Sequence, residues 1–134
     1  MINPAEAEVD AEMLKSPKVQ AALQKVRTTY KQAVSNMQAA LAADPQANVR
    51  ATIVKELDAA GLRDALNTVN AAFEEDTQRG TDRLIRVILQ DITELEMANT
   101  QKEGVERSPR RLEIMNGKLA KLAQAFDDYL AFAQ

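Results

Sequence analysis

The sequence predicts an all-α fold, an antiparallel helical bundle with coiled-coil-like long helices and a short N-terminal helix. Three observations carry this. Apolar residues recur at alternating gaps of three and four along most of the chain. All four prolines follow a residue favoured as a helix N-cap, in Asn3-Pro4, Ser16-Pro17, Asp44-Pro45 and Ser108-Pro109. The one stretch with strand propensity, the Ile/Val-rich residues 84–95, has no second strand to pair with, and a lone strand leaves its backbone groups unpaired.

Each Asx/Ser-Pro pair reads as a helix start. The cap oxygen accepts from free amides of the first turn, and proline loses nothing there because its missing donor had no intrahelical partner. At the first pair, Glu6 stands three residues after Asn3, where a capping-box carboxylate belongs. From Ser16 the stripe Val19, Leu23, Val26, Tyr30, Ala33, Met37 and Ala40 predicts a helix over 17–43, about 40 Å long, with one buried seam. From Pro45, Val49, Ile53 and Leu57 continue to Ala60-Gly61-Leu62. Gly61 is expected to end that helix in the left-handed conformation, with Leu57 and Leu62 in contact across the cap.

The next run, Leu62, Leu66, Val69 and Phe73, leads to Thr77 and Gly80, where a kink or break is expected. Leu84, Ile85, Val87, Ile88, Leu89, Ile92 and Leu95 then cover a wide arc, so this helix has neighbours on more than one side. From Pro109 the stripe Leu112, Met115, Leu119, Leu122, Phe126, Leu130 and Ala133 passes in phase through Asn116-Gly117, which predicts helix there rather than a hairpin.

Length sets one domain, residues 1–134, with a short acidic N-terminal helix over 1–16 and the bundle over 17–134. A compact fold of this size buries roughly 65 to 70% of its unfolded surface, so no staples are needed. With 4% aromatics and no Trp, the core is aliphatic. Residues 1–16 carry four carboxylates against Lys15, and the helix after them is basic, so the acidic arm either lies on that helix or is simply solvated. No run approaches the ~18 apolar residues of a membrane span, and no signal peptide is visible. The expected setting is the cytoplasm, or a phage particle or secretion assembly, of a bacterial or phage protein.

Chemistry is scarce. The chain has no Cys and no His, which removes thiolate nucleophiles, His-containing triads, cysteine or histidine zinc sites and proximal haem ligands. Phosphate loops and nucleophile elbows are missing as well. Carboxylates at Glu74-Glu75-Asp76 and at Asp91, Glu94 and Glu96 lack the spacing of a calcium loop, so no metal or cofactor is expected.

Arg107, Arg110 and Arg111 surround a helix N-terminus, where the helix dipole disfavours cations. Ion pairing with Glu103, Glu106 and Glu113 is the preferred explanation, and contact with an anion or nucleic acid is the alternative. A net charge of −3 weighs against nucleic acid. Arg79, Arg83 and Arg86 have helical spacing, and antiparallel packing would bring Arg83 near Asp127 and Asp128. On the last helix Ile114 and Phe132 share an azimuth flanked by Tyr129; they pack within the chain or present a partner-binding surface. The function expected is non-enzymatic: a protein that meets a protein partner, or a second copy of itself, through helix faces as adaptor, chaperone, inhibitor or structural subunit. A nucleic-acid-associated protein is the alternative.

Overall fold

A computed structural model describes residues 3–133; residues 1, 2 and 134, which fall within the expected domain and partly within the expected N-terminal helix, lie outside it. The chain folds as an all-α bundle. A one-turn helix, α1 (Ala11–Leu14), precedes five longer ones. Of these, α2 runs without interruption through Pro17–Thr29, a π-helical turn at Tyr30–Val34, and Ser35–Ala43, while α3 joins Arg50–Thr52 to a second π-helical turn at Ile53–Leu57. Then come α4 (Ala59–Asn70), α5 (Glu75–Asn99) and α6 (Pro109–Leu130), which tightens into a 3-10 turn at Ala131–Ala133.

Two of the four proline pairs cap helices as expected. Ser16 Oγ accepts from Val19 N at 3.4 Å and Ser108 Oγ from Arg111 N at 3.1 Å. The other two make turns instead. Asn3 caps only the 3-10 turn Pro4–Glu6, accepting from Ala5 N at 3.0 Å. Asp44 accepts from Gln46 N through its side chain and from Ala47 N through its carbonyl, both at 2.9 Å, which closes a tight turn; helix resumes only at Arg50. An Asx-Pro pair starts a turn by the same side-chain bond that starts a helix.

The expected acidic helix over 1–16 is not one helix. Its middle is extended: Val9 bridges Phe73, Asp10 N donates to Ala72 O, Glu74 N donates to Glu8 O, and Glu8 N reaches Thr77 Oγ1. The arm is therefore laced to the α4–α5 turn rather than laid on α2. Asp10 then caps α1 by accepting from Met13 N.

The core follows the predicted stripes closely. Val19, Leu23, Val26, Ala33 and Met37 of α2 are buried, as are Val49, Ile53 and Leu57 of the next segment. The coiled-coil-like period of α2 does not persist, because the π turn inserts an extra residue and brings Ala33 and Val34 inward together; Leu41 is then buried, and Ala40 only half so. Tyr30, at the start of that turn, stacks on Phe126 with centroids 5.2 Å apart. The two π turns pack against each other.

Gly61 does not end a helix. Asp58 does so, in the left-handed conformation at φ 43°, and its carboxylate then caps α4 by accepting from Gly61 N. A side chain at Gly61 would collide with those of Asp58 and Lys25, which form an ion pair at 3.9 Å over it. Nor does Gly80 break its helix: the break falls at residues 71–74, and α5 runs through Gly80. On α5 the buried arc is narrower than the sequence suggests, since Val87 is exposed and Leu89 half-buried; the helix packs on α4 and, along most of its length, on α6.

Candidate functional site

The antiparallel turn from α5 to α6 puts the carbonyl end of one helix beside the amide end of the next, and this explains the arginines there. The last carbonyls of α5 have no intrahelical donors. Arg111 adds donors there: its Nε donates to Ala98 O at 3.1 Å, and its Nη2 to Met97 O at 3.2 Å, which also accepts from Thr100 N, and to Thr100 O just past the helix end at 3.1 Å. The dipole that repels Arg111 from α6 is thus answered by the opposite end of α5.

Arg107 goes further in. It is only 5% exposed; Nη1 donates to Pro45 O and Ala47 O, each at 2.8 Å, and Nη2 to the Asn99 backbone and side-chain oxygens at 3.5 and 3.4 Å. Gln46 grips the Arg107 backbone from both sides, donating to its carbonyl and accepting from its amide. Asn99 completes the knot, accepting from Val49 N and donating to Asn48 Oδ1, each at 3.0 Å. Burial, with the Arg111 charge second, pulls the Arg107 guanidinium below its usual range, and Asp44 opposes this. The expected pairing with Glu103, Glu106 and Glu113 is not what holds these side chains: backbone carbonyls and Asn99 do. Arg110 is exposed, beside Glu113 and Ile114 in a shallow depression.

The apolar candidates divide in the same way. Ile114 is 42% exposed. Tyr129 and Phe132 are buried, and the Phe73 ring meets both edge-on, at centroid distances of 6.3 and 6.4 Å. Tyr129 Oη donates to Leu66 O at 3.0 Å, and burial, with the Asp82 charge second, raises its phenol far above the usual value. Phe132, in the 3-10 turn Ala131–Ala133, continues the face of buried Ala125 and Tyr129, seven and three residues before it. That turn packs on Pro4–Glu6, so these rings contact their own chain.

What the sequence reading missed is a groove of about 700 Å³ among α4, α5 and α6. Its lining includes Arg63 from α4, Arg83 and Arg86 from α5, and Lys121 from α6, with 40%-exposed Val87 between them. The visible signal was the row Arg79, Arg83 and Arg86. Arg79 pairs locally with Glu75 and Asp76, but Arg83 does not pair with Asp127 or Asp128. Among the described residues, Arg63, Arg83, Arg86 and Lys121 have no carboxylate within 4.0 Å.

Asp91 and Glu94 supply the groove's negative charge. Lys118 takes up Glu94 at 3.3 Å, bridging α6 to α5. Asp91 is 3% exposed, and its Oδ2 has no hydrogen-bond partner. Burial holds its carboxyl above the usual carboxylate range; Lys121 opposes this, Glu94 adds to it, and Lys118 opposes it. The arrangement can bind anions and hold a proton. Among the described residues no three carboxylates converge to hold a metal ion, and no helix is long and apolar enough to cross a membrane. No family model matches the chain, and no curated protein or solved structure matches it.

Proposed function

We propose that this chain is a non-enzymatic interaction protein that docks a partner protein on the α4–α5–α6 groove. One observation carries the reading: four cations from three helices line one depression around exposed Val87, and among the described residues none of them has a carboxylate within 4.0 Å. Cations without a close carboxylate are available to a partner, and exposed Val87 among them offers an apolar contact. The alternative of nucleic-acid contact through Arg107 and Arg111 is not favoured, because these two spend donors on carbonyls of their own chain.

The test is affinity capture from the native source with the wild type and with Arg83→Glu/Arg86→Glu. The double variant is expected to keep its helical circular dichroism and lose the captured protein. Capture unchanged by charge reversal contradicts docking at this groove. Light scattering over a concentration series decides whether the partner includes a second copy.

Asp91 favours a second reading. A buried carboxyl with a raised proton affinity, lining a groove beside Lys121, is the group an acid-base enzyme uses. Thermal-shift screening against small metabolites tests it: a ligand that stabilises the wild type and not Asp91→Asn supports catalysis there, and no such ligand leaves docking as the function.

A further inference from the structure

The groove's own charges select its occupant. Four cations line it against two carboxylates, with Asp82 near Arg63 and Arg86 in the adjoining depression, and one of the two, Glu94, is already met by Lys118 at 3.3 Å. The other, Asp91, sits where burial disfavours its charge. A positive groove on a chain of net charge −3 attracts carboxylates and selects against cationic partners. Its long axis follows α5: Arg83, Val87, Gln90 and Glu94 recur at gaps of four, three and four, which spans about 16 Å, or three turns of a partner helix. Val87 supplies an exposed aliphatic contact within the basic rim. A nucleic-acid strand fits less well, because no aromatic side chain lines the groove to stack a base.

Asp91 adds a second, independent feature: a buried carboxylate oxygen without a donor, among the residues lining the groove. The charged groups around it are Glu94 on its own helix, Lys118 and Lys121 on α6, and Arg63, Arg83 and Arg86 along the groove. Carboxylates placed on those cations weaken the positive field that keeps Asp91 ionised. Docking and proton binding are therefore linked with a definite sign.

Resting on the docking reading above, we propose that the groove receives an acidic amphipathic helix of a partner protein, its carboxylates meeting Arg63, Arg83, Arg86 and Lys121, and that Asp91 takes up a proton as the helix docks. Binding then tightens as pH falls toward the point where the partner's own glutamates protonate.

The test uses the full chain and a fluorescein-labelled helical peptide of about 15 residues with glutamates on one face and leucines on the other. Fluorescence anisotropy is expected to show binding that weakens with salt, and to lose at least about tenfold in affinity with Arg83→Glu/Arg86→Glu or with a glutamine version of the peptide. Affinity rises in the wild type as pH falls from neutrality toward the range where ordinary carboxyls protonate, and does not rise in Asp91→Asn. Should Asp91→Asn fold poorly, calorimetry on the wild type in two buffers of different ionisation enthalpy measures the proton uptake directly. Absence of uptake overturns the role of Asp91. Equal binding of the glutamine peptide, or preference for a single-stranded oligonucleotide, overturns the acidic-helix occupant. If the acidic peptide fails to bind while capture of the native partner still depends on Arg83 and Arg86, only this occupant is lost; if capture is also indifferent to them, the docking reading falls too.

Discussion

Arg107 shows what a single side chain does when four acceptors surround it. Its guanidinium ties residues 45, 47 and 99 together, so losing it leaves part-buried and buried oxygens short of a donor as well as removing charge-assisted bonds. Arg107→Met is expected to lower stability by about 2–4 kcal/mol, read from urea denaturation, and Arg107→Lys to recover only part of that, since an ammonium lacks the fork. A loss below about 1 kcal/mol would mean that the knot is held without it. Tyr129→Phe, which leaves Leu66 O without its second donor, should cost about 1–2 kcal/mol by the same assay. Asp91 has the opposite sign. Its folded carboxyl holds a proton more tightly than an ordinary carboxyl, so the stability it contributes is fully present below the unfolded range, about pH 4, and is lost as pH rises through the folded value. Asp91→Asn should therefore be more stable than the wild type at about pH 7, with the gap closing toward about pH 4. A gap that widens on acidification contradicts the raised carboxyl. At this scale the sequence showed that cations at the start of α6 were out of place, and no more. The acceptors for Arg107 lie some sixty residues away at Pro45 and Ala47, where no local pattern can announce them.

Among elements, the helices that the sequence located well are those whose boundaries are set locally. Ser16 and Ser108 cap α2 and α6 through bonds spanning three residues, and the stripes that follow are buried where the period places them. Boundaries set by tertiary contact were not legible. The break at residues 71–74 exists because that turn receives the N-terminal arm through Val9, Glu8 and Asp10, not because any residue there is a strong breaker. The junction of α3 and α4 is a third kind, where two signals compete. Gly61 offers the easier left-handed residue, yet Asp58 adopts that conformation because its side chain then serves as the cap of α4. Asp58→Asn is expected to be nearly neutral, whereas Asp58→Ala loses the cap while keeping the strained backbone and should cost about 1–3 kcal/mol in urea denaturation. Equal stability of the two variants would remove the capping role.

For the whole molecule, the aliphatic stripes and the shortage of reactive side chains pointed to packed helices, and the buried residues form one hydrophobic cluster drawn from all five long helices. The groove was not foreseen. It is made by side chains from α4, α5 and α6 that meet only when the three helices are assembled, so its cations look like ordinary solvated faces when each helix is read alone. Assembly sorts the arginines into two groups: Arg107 and Arg111 hold the turn between α5 and α6, while Arg63, Arg83 and Arg86 stand in the groove with, among the described residues, no carboxylate within 4.0 Å. The same urea titration measures both groups side by side. Arg83→Glu/Arg86→Glu should unfold within about 0.5 kcal/mol of the wild type while Arg107→Met falls far below it. A charge-reversed groove as unstable as Arg107→Met would show instead that those arginines hold the fold.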